Sequence, residues 1–291
     1  MSSEILIFLL RYIYSGLGET LVPRIFKHTY NLFLMDTKLF LVLVVLMLGT
    51  LGKGICQDTS ELALARVYLE RAERRYFQKQ FDDSLFWYAE EAAKIFEAHE
   101  DWEGWINARC SYALKFIVHR DYSNMRIAEE IFRNAAEFGK SKLGKSSSAV
   151  GDAYLNWGFT LEKRKKYDSA LIAYDSARVI YELFEEDKLI ELGSLLNNMG
   201  VVENERGNNL IAEEHILEAL QNRDKVMADS ALYAQYTEAY LIESYVNLAG
   251  IYLWRELYAP ALFWFKRAEP EFIKIFGETG DHSWNLAELY K

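Results

Sequence analysis

An all-α solenoid of stacked helical hairpins is the fold this sequence predicts, on three observations. Gly158, Ala170 and Ala177 recur 42 residues later as Gly200, Ala212 and Ala219. A third copy, Ala249, Ala261 and Ala268, follows 49 residues after that. Each copy sets a small residue ahead of alanines at +12 and +19, the spacing at which paired helices can approach closely. Finally, only Pro23, Pro260 and Pro270 occur in 291 residues, so little interrupts helix formation.

With Gly151 as position 1, the clearest copy carries Tyr154, Trp157, Leu161, Tyr167 and Tyr174 at positions 4, 7, 11, 17 and 24. Its small residues Gly158, Ala170 and Ala177 fall at 8, 20 and 27. The following copies keep that register through Leu196, Met199 and Ile216, then through Tyr245, Leu248, Tyr252 and Phe265. Upstream, the run Phe81–Tyr88 aligns with Tyr167–Tyr174, and Ala72 stands twelve residues before Ser84. Ala128, Phe132 and Ala135 reproduce positions 20, 24 and 27 of one more second helix. Its first helix, roughly 102–119, carries a loop about three residues longer if Ala113 is position 8. Five hairpins, or about ten helices, are therefore expected, each repeat being one helix pair.

This register resembles the tetratricopeptide (TPR) repeat, which implies a right-handed α-solenoid with Gly or Ala at 8 and Ala at 20 where helix A meets helix B. The common unit is about 34 residues, whereas the period here is 42. The eight extra residues amount to roughly two helical turns, one expected in each helix. The longer unit is similar to the repeats of kinesin light chain and of bacterial arrays that precede a caspase-like CHAT domain. The Tyr-rich first helices and the loop Phe276–His282 fit that group. The resemblance spans about 60–291 and implies architecture more than activity.

Ahead of the repeats, Leu39–Gly52 runs fourteen residues without a charge between Lys38 and Lys53. A membrane-spanning helix needs about 20 apolar residues, so this run fits the apolar region of a secretory signal starting at Met35. Gly54 and Cys56 supply small residues for a cut before Gln57; Ile55 is not the small residue that a lipoprotein cysteine at Cys56 would need before it. The expected organisation is an N-terminal extension over 1–34, a signal peptide or anchor over 35–56, and the solenoid over 57–291. Cleavage would export the chain to the periplasm or cell envelope; an uncleaved segment would hold it to a membrane through residues 39–52.

Position 8 of a sixth repeat would fall on Lys291, so Trp284–Lys291 reads as half of a first helix without its partner. A solenoid ends in a polar capping helix. The expectation is a chain that once continued, or one that self-associates through its uncapped C-terminus.

Five basic and three acidic residues precede Gln57, so 28 basic and 40 acidic residues remain, a net charge of −12. That balance argues against nucleic acid as a partner, because a phosphate backbone needs a basic surface. Cys110 is the only cysteine beyond Cys56, so no internal disulfide is expected in the repeats.

Gly139–Ser146 matches the phosphate-loop pattern G-x-x-x-x-G-K-S letter for letter. That loop works between a strand and a helix, and no strand-like segment precedes it; a turn between hairpins is the expected reading. His99, His119, His215 and His282 are scattered, with no second ligand at metal spacing. Cys110 reads as a packing residue, and Glu185, Glu186 and Asp187 as a solvated turn. No catalytic residue, metal or cofactor is expected, and the chain reads as a non-enzyme. Trp87, Trp157, Trp254 and Trp264 fall on helical faces, where core packing is expected for the majority of them.

One feature points to binding. Asn156, Asn198 and Asn247 all occupy position 6, and Asn197 adds a neighbour at position 5. The resemblance implies that first helices line a concave face, and long-period relatives use an asparagine ladder there to grip peptides. An amide both donates and accepts, so such a ladder could hold the backbone of an extended peptide. The alternative is that these amides tie each first helix to its neighbour. The expected function is a non-enzymatic protein- or peptide-binding scaffold. A second expectation is the sensory part of a longer CHAT-type protease or TPR-linked histidine kinase.

Overall fold

A computed structural model of the chain describes residues 60–75, 83–118, 122–145, 147–228 and 238–276. Apart from Ser60, these lie in one compact unit, Glu61–Lys291. The N-terminal extension, the apolar run 39–52, the loop Phe276–His282 after its first residue, and Trp284–Lys291 all fall outside the described residues. Among the described residues no helix is long and apolar enough to cross a membrane.

Among the described residues ten long helices pair into five hairpins: α1 (60–75) with α2 (Asp83–Ala98), α3 (Trp102–Ala113) with α4 (Tyr122–Leu143), α5 (Ser148–Lys163) with α6 (Tyr167–Tyr181), α7 (Leu189–Glu205) with α8 (Asn209–Ala228), and α9 (Glu238–Trp254) with α10 (Tyr258–Phe276). A one-turn helix, Lys115–Val118, follows α3 and supplies the longer loop expected there. The described residues contain no strand. The first helices α3, α5, α7 and α9 each touch the next, while contact between successive second helices is sparser. The first helices therefore form the tighter, inner row of the stack.

Small residues seat the hairpins as the spacing requires. Ala170, Ala177, Ala212, Ala219, Ala249, Ala261 and Ala268 are all buried. A Cβ on Gly200 would stand 2.5 Å from Cγ1 of Ile216 and 3.0 Å from the carbonyl oxygen of Ala212, so α7 and α8 meet at nearly backbone distance. Each of the last three hairpins turns at position 15, through Lys165 (φ 59°), Gly207 (φ 83°) and Glu256 (φ 57°). There the N–H of position 15 donates to the carbonyl of position 12 (2.8–2.9 Å), and that of position 16 to position 11 (2.8–2.9 Å). This closes the last helical carbonyls with a left-handed residue. Pro260 sits in the first turn of α10, where its missing N–H costs nothing; Pro270 lies inside the same helix.

Two expectations need correction. The extra residues of the long period do not lengthen α5 and α6 by a turn each. Those helices have 16 and 15 residues, and a seven-residue 3₁₀ helix, Glu182–Lys188, carries the chain to the next hairpin. Glu185–Asp187 belong to it, with Asp187 exposed. In the fourth hairpin it is α8 that is long, at 20 residues, and the rest of the additional spacing lies outside the described residues.

The tryptophans also divide. Trp157 and Trp264 are half-buried, but Trp87 is 49 % and Trp254 77 % exposed. Trp87 instead meets Tyr68 and Tyr88 edge to face, with ring centroids 5.5 and 5.2 Å away. A helical face allocates a residue to one side of its helix but does not say whether a neighbour covers that side.

As far as Lys145 the phosphate-loop letters fall on the end of α4 and the turn after it, and Ser146 lies outside the described residues. Gly139 lies within α4, where a Cβ would meet Cδ1 of Ile106 at 2.5 Å. Gly144 (φ 66°) ends that helix, its N–H donating to Lys140 O at 3.0 Å. With a helix where the phosphate loop needs a strand, the backbone N–H groups do not converge as that motif requires.

Candidate functional site

The inner row of helices frames a cavity of about 290 Å³, and the asparagine register leads into it. Asn156 on α5 and Asn197 and Asn198 on α7 line it together. Leu155, Phe159 and Ile190 give it apolar walls, and Arg223 from α8 and Glu243 from α9 add charge. Asn247 is not among the lining residues.

The four amides have different local duties. Asn156 Nδ2 donates to the carbonyl of Asp152 one turn back on its own helix, at 2.9 Å. Asn197 is buried and accepts from Asn247 Nδ2 at 3.3 Å, which joins α7 to α9. Asn198 lies beside the hydroxyl of Tyr174, which donates to Glu162 Oε2 at 2.8 Å. The tie between neighbouring first helices is thus present at Asn197–Asn247, while Asn156 and Asn198 face the groove.

Burial and the adjacent Glu162 carboxylate raise the Tyr174 phenol well above its ordinary range, against the opposing effect of the neighbouring Asn198 amide. Glu243 is raised as well, chiefly by desolvation of its carboxyl, with Lys163 pulling it back and Glu162 pushing it up. Arg223 is held by Tyr245: Nη1 donates to the Tyr245 hydroxyl at 2.8 Å, and the guanidinium lies 5.7 Å from the ring centroid. Tyr245 in turn stacks on Trp264 at 5.6 Å.

Position 6 alone does not pick out Arg223. The signal sits at position 31, which is Ile95, Gly139, Tyr181, Arg223 and Phe272 in the five hairpins. One repeat places a cation where the others have an apolar, aromatic or glycine residue.

Cys110 is buried and its thiol pKa is pushed far up, mainly by desolvation, so it carries no thiolate at neutral pH. His99 pairs with Glu61 at 2.9 Å between the first two helices. Among the described residues no group of three His, Cys, Asp or Glu could hold a metal ion.

No protein-family profile matches the chain, and no curated protein does. Solved structures do. A Podosopora anserina chain of nearly identical TPR-like repeats of the kinesin light chain type superposes with a TM-score of 0.55 at 12 % identity, covering 74 % of this chain and 97 % of that one. Aspartyl phosphate phosphatase F from Bacillus subtilis gives 0.51 at 17 % identity, covering 72 % and 60 %. The apo form of RapI gives 0.51 at 17 % identity, covering 73 % and 85 %. At these identities the likeness is one of fold: the chain is a TPR-like helical-repeat solenoid.

Proposed function

We propose that this chain is a non-enzymatic scaffold that holds an extended peptide, or an extended segment of a partner protein, in the groove of α5, α7 and α9. The observation that carries this reading is the convergence of Asn156, Asn197 and Asn198 on one cavity with apolar walls. Apolar walls favour burial of a ligand's side chains. Amides that can donate and accept match the alternating N–H and C=O groups of an extended backbone.

The test is capture of short random-sequence peptides on an array by the full chain, compared with Asn156→Ala and Asn198→Ala. Each substitution is expected to weaken capture by about tenfold, the size of one or two lost hydrogen bonds. Circular dichroism checks that helicity is unchanged. Capture that survives both substitutions would remove the groove from consideration.

A further inference from the structure

We infer that the solvent-facing side of α6 docks an amphipathic α-helix of a partner protein, apolar along one side and acidic where it meets Lys140 and Lys145. This surface belongs to a second helix and stands independently of the groove of α5, α7 and α9. Ile172, Val179 and Leu183 are 68, 42 and 61 % exposed. The first two lie on α6, and Leu183 lies in the first turn of the 3₁₀ helix that follows it. They fall at positions 22, 29 and 33 of the third hairpin, a spacing of seven and four that keeps residues on one side of a helix.

The same positions are exposed in the hairpins before and after. There they hold Glu130, Glu137 and Ser141, and then Glu214, Gln221 and Lys225. One hairpin therefore presents an apolar row to solvent where both neighbours present polar side chains. Single exposed apolar residues are ordinary, but a row of them on one face marks a contact surface.

Charge at the edge of the row selects the partner. The row borders a hollow of about 330 Å³, lined by Ile172 and Val179, by Tyr154 of α5, and by Lys140 and Lys145 at the end of α4 and in the turn after it. Both lysines are exposed. Among the described residues the lysine ion pairs belong to Lys94, Lys163, Lys166 and Lys188, and Lys140 and Lys145 form none. Lys140 rests by the Tyr154 ring, Nζ 5.9 Å from its centroid. Asp175, the acid that shares the hollow, acts on Arg178 of its own helix. Acidic residues outnumber basic ones by 43 to 33 in this chain, yet the hollow keeps two ammonium groups unpaired beside apolar surface. An acidic partner complements that sign.

The backbone of α6 selects the partner's conformation. Its N–H and C=O groups are bonded within the helix, and the Ser176 hydroxyl donates to Ile172 O at 2.9 Å. An extended segment finds no backbone partners on such a surface, whereas a helix arrives with its own backbone satisfied and offers side chains alone. Residues 172–183 span about 17 Å, which a helix of about three turns matches.

The probe is a displayed library of helices about four turns long, randomised on one face and selected on the full chain. Enriched helices are expected to carry large apolar residues at spacings of three, four and seven, with Asp or Glu toward one end. One such helix, made as a labelled peptide, should bind about tenfold or more weakly to a chain with Ile172→Glu and Val179→Gln. Those substitutions install the residues of the fourth hairpin at the same exposed positions, so helicity and Tm should match the parent chain. Lys140→Gln with Lys145→Gln should remove the preference for acidic over neutral forms of the peptide, and added salt should do the same. Capture of extended peptides in the groove should be unchanged in both variants, which keeps the two readings separable.

Enriched helices that bind the Ile172→Glu, Val179→Gln chain as tightly as the parent, or that show no acidic bias, would overturn this inference. Self-association of the parent chain that the same substitutions abolish would assign the face to a second copy instead. Binding to phosphatidylserine vesicles that they abolish would assign it to a membrane surface, and either result overturns the helical partner.

Discussion

Gly158 lies under the ring of Tyr174, so close that a Cβ on the glycine would stand 2.4 Å from Cδ1 and 2.5 Å from Cε1. The ring is fully buried and bonded to Glu162, so it cannot swing aside. Gly158→Ala is therefore expected to destabilise the fold by about 1–3 kcal/mol, the usual cost of overpacking. Gly250, inside α9 with nothing within 4 Å of its would-be Cβ, is the control. Gly250→Ala should stabilise by about 0.5–1 kcal/mol through helix propensity. Urea denaturation of the two variants checks both signs, and a common sign would refute the close-packing account.

The shared left-handed turn gives a second expectation. Lys165 and Glu256 hold positive φ where the fourth hairpin uses Gly207. Glycine takes that conformation without Cβ strain, so Lys165→Gly and Glu256→Gly should each raise stability by roughly 0.5–1 kcal/mol. Glycine in the unfolded chain offsets part of the gain. A lowered Tm for both would show that the side chains there contribute more than the strain costs.

Asn197 and Asn247 separate bracing from gripping. Their 3.3 Å hydrogen bond joins α7 to α9. A double-mutant cycle with Asn197→Ala and Asn247→Ala should return a coupling of about 0.5–1.5 kcal/mol in stability. Asn247→Ala alone should affect peptide capture less than Asn198→Ala does, since Asn198 lines the cavity. Equal losses of capture would assign Asn247 to the ligand rather than to the brace.

Alkaline pH should weaken the fold through Tyr174. Its phenol pKa is raised in the folded chain, largely by burial, above the ordinary value of 10.0. The folded state therefore keeps a proton that the unfolded chain releases. The resulting stability is fully present below pH 10 and is lost as the pH rises through the folded pKa. Tyr174→Phe should cost about 1–3 kcal/mol at pH 7, because Oε2 of the buried Glu162 loses its donor and only the Lys163 bond to Oε1 remains. Above pH 10 the variant should also lose stability less steeply than the parent chain. Denaturation curves on either side of that pH provide the comparison.

Much of this architecture was legible in the residues. The Gly/Ala register marked the contacts at Gly158, Gly200 and the seven buried alanines, because only small side chains let helix axes come that close. Position 6 led to Asn156 and Asn198 for a related reason, since one register position faces one side of a repeating stack. Trp87 and Trp254 were not legible: periodicity assigns a face, and cover comes from residues distant in sequence. The 3₁₀ helix Glu182–Lys188 escaped as well, because a longer period states how many residues are added and not which backbone they adopt.

Sequence by itself determined the hairpin count, the helix-pairing register and the amides at position 6, since all three follow from local spacing repeated along the chain. Tertiary structure decided which of those amides share a cavity, and that Asn197 is tied to Asn247. It also decided that Ile172 and Val179 border a hollow shared with Lys140 and Lys145. Such facts depend on how three successive hairpins stack against one another, a geometry set by the sum of their packed contacts and written in no single repeat.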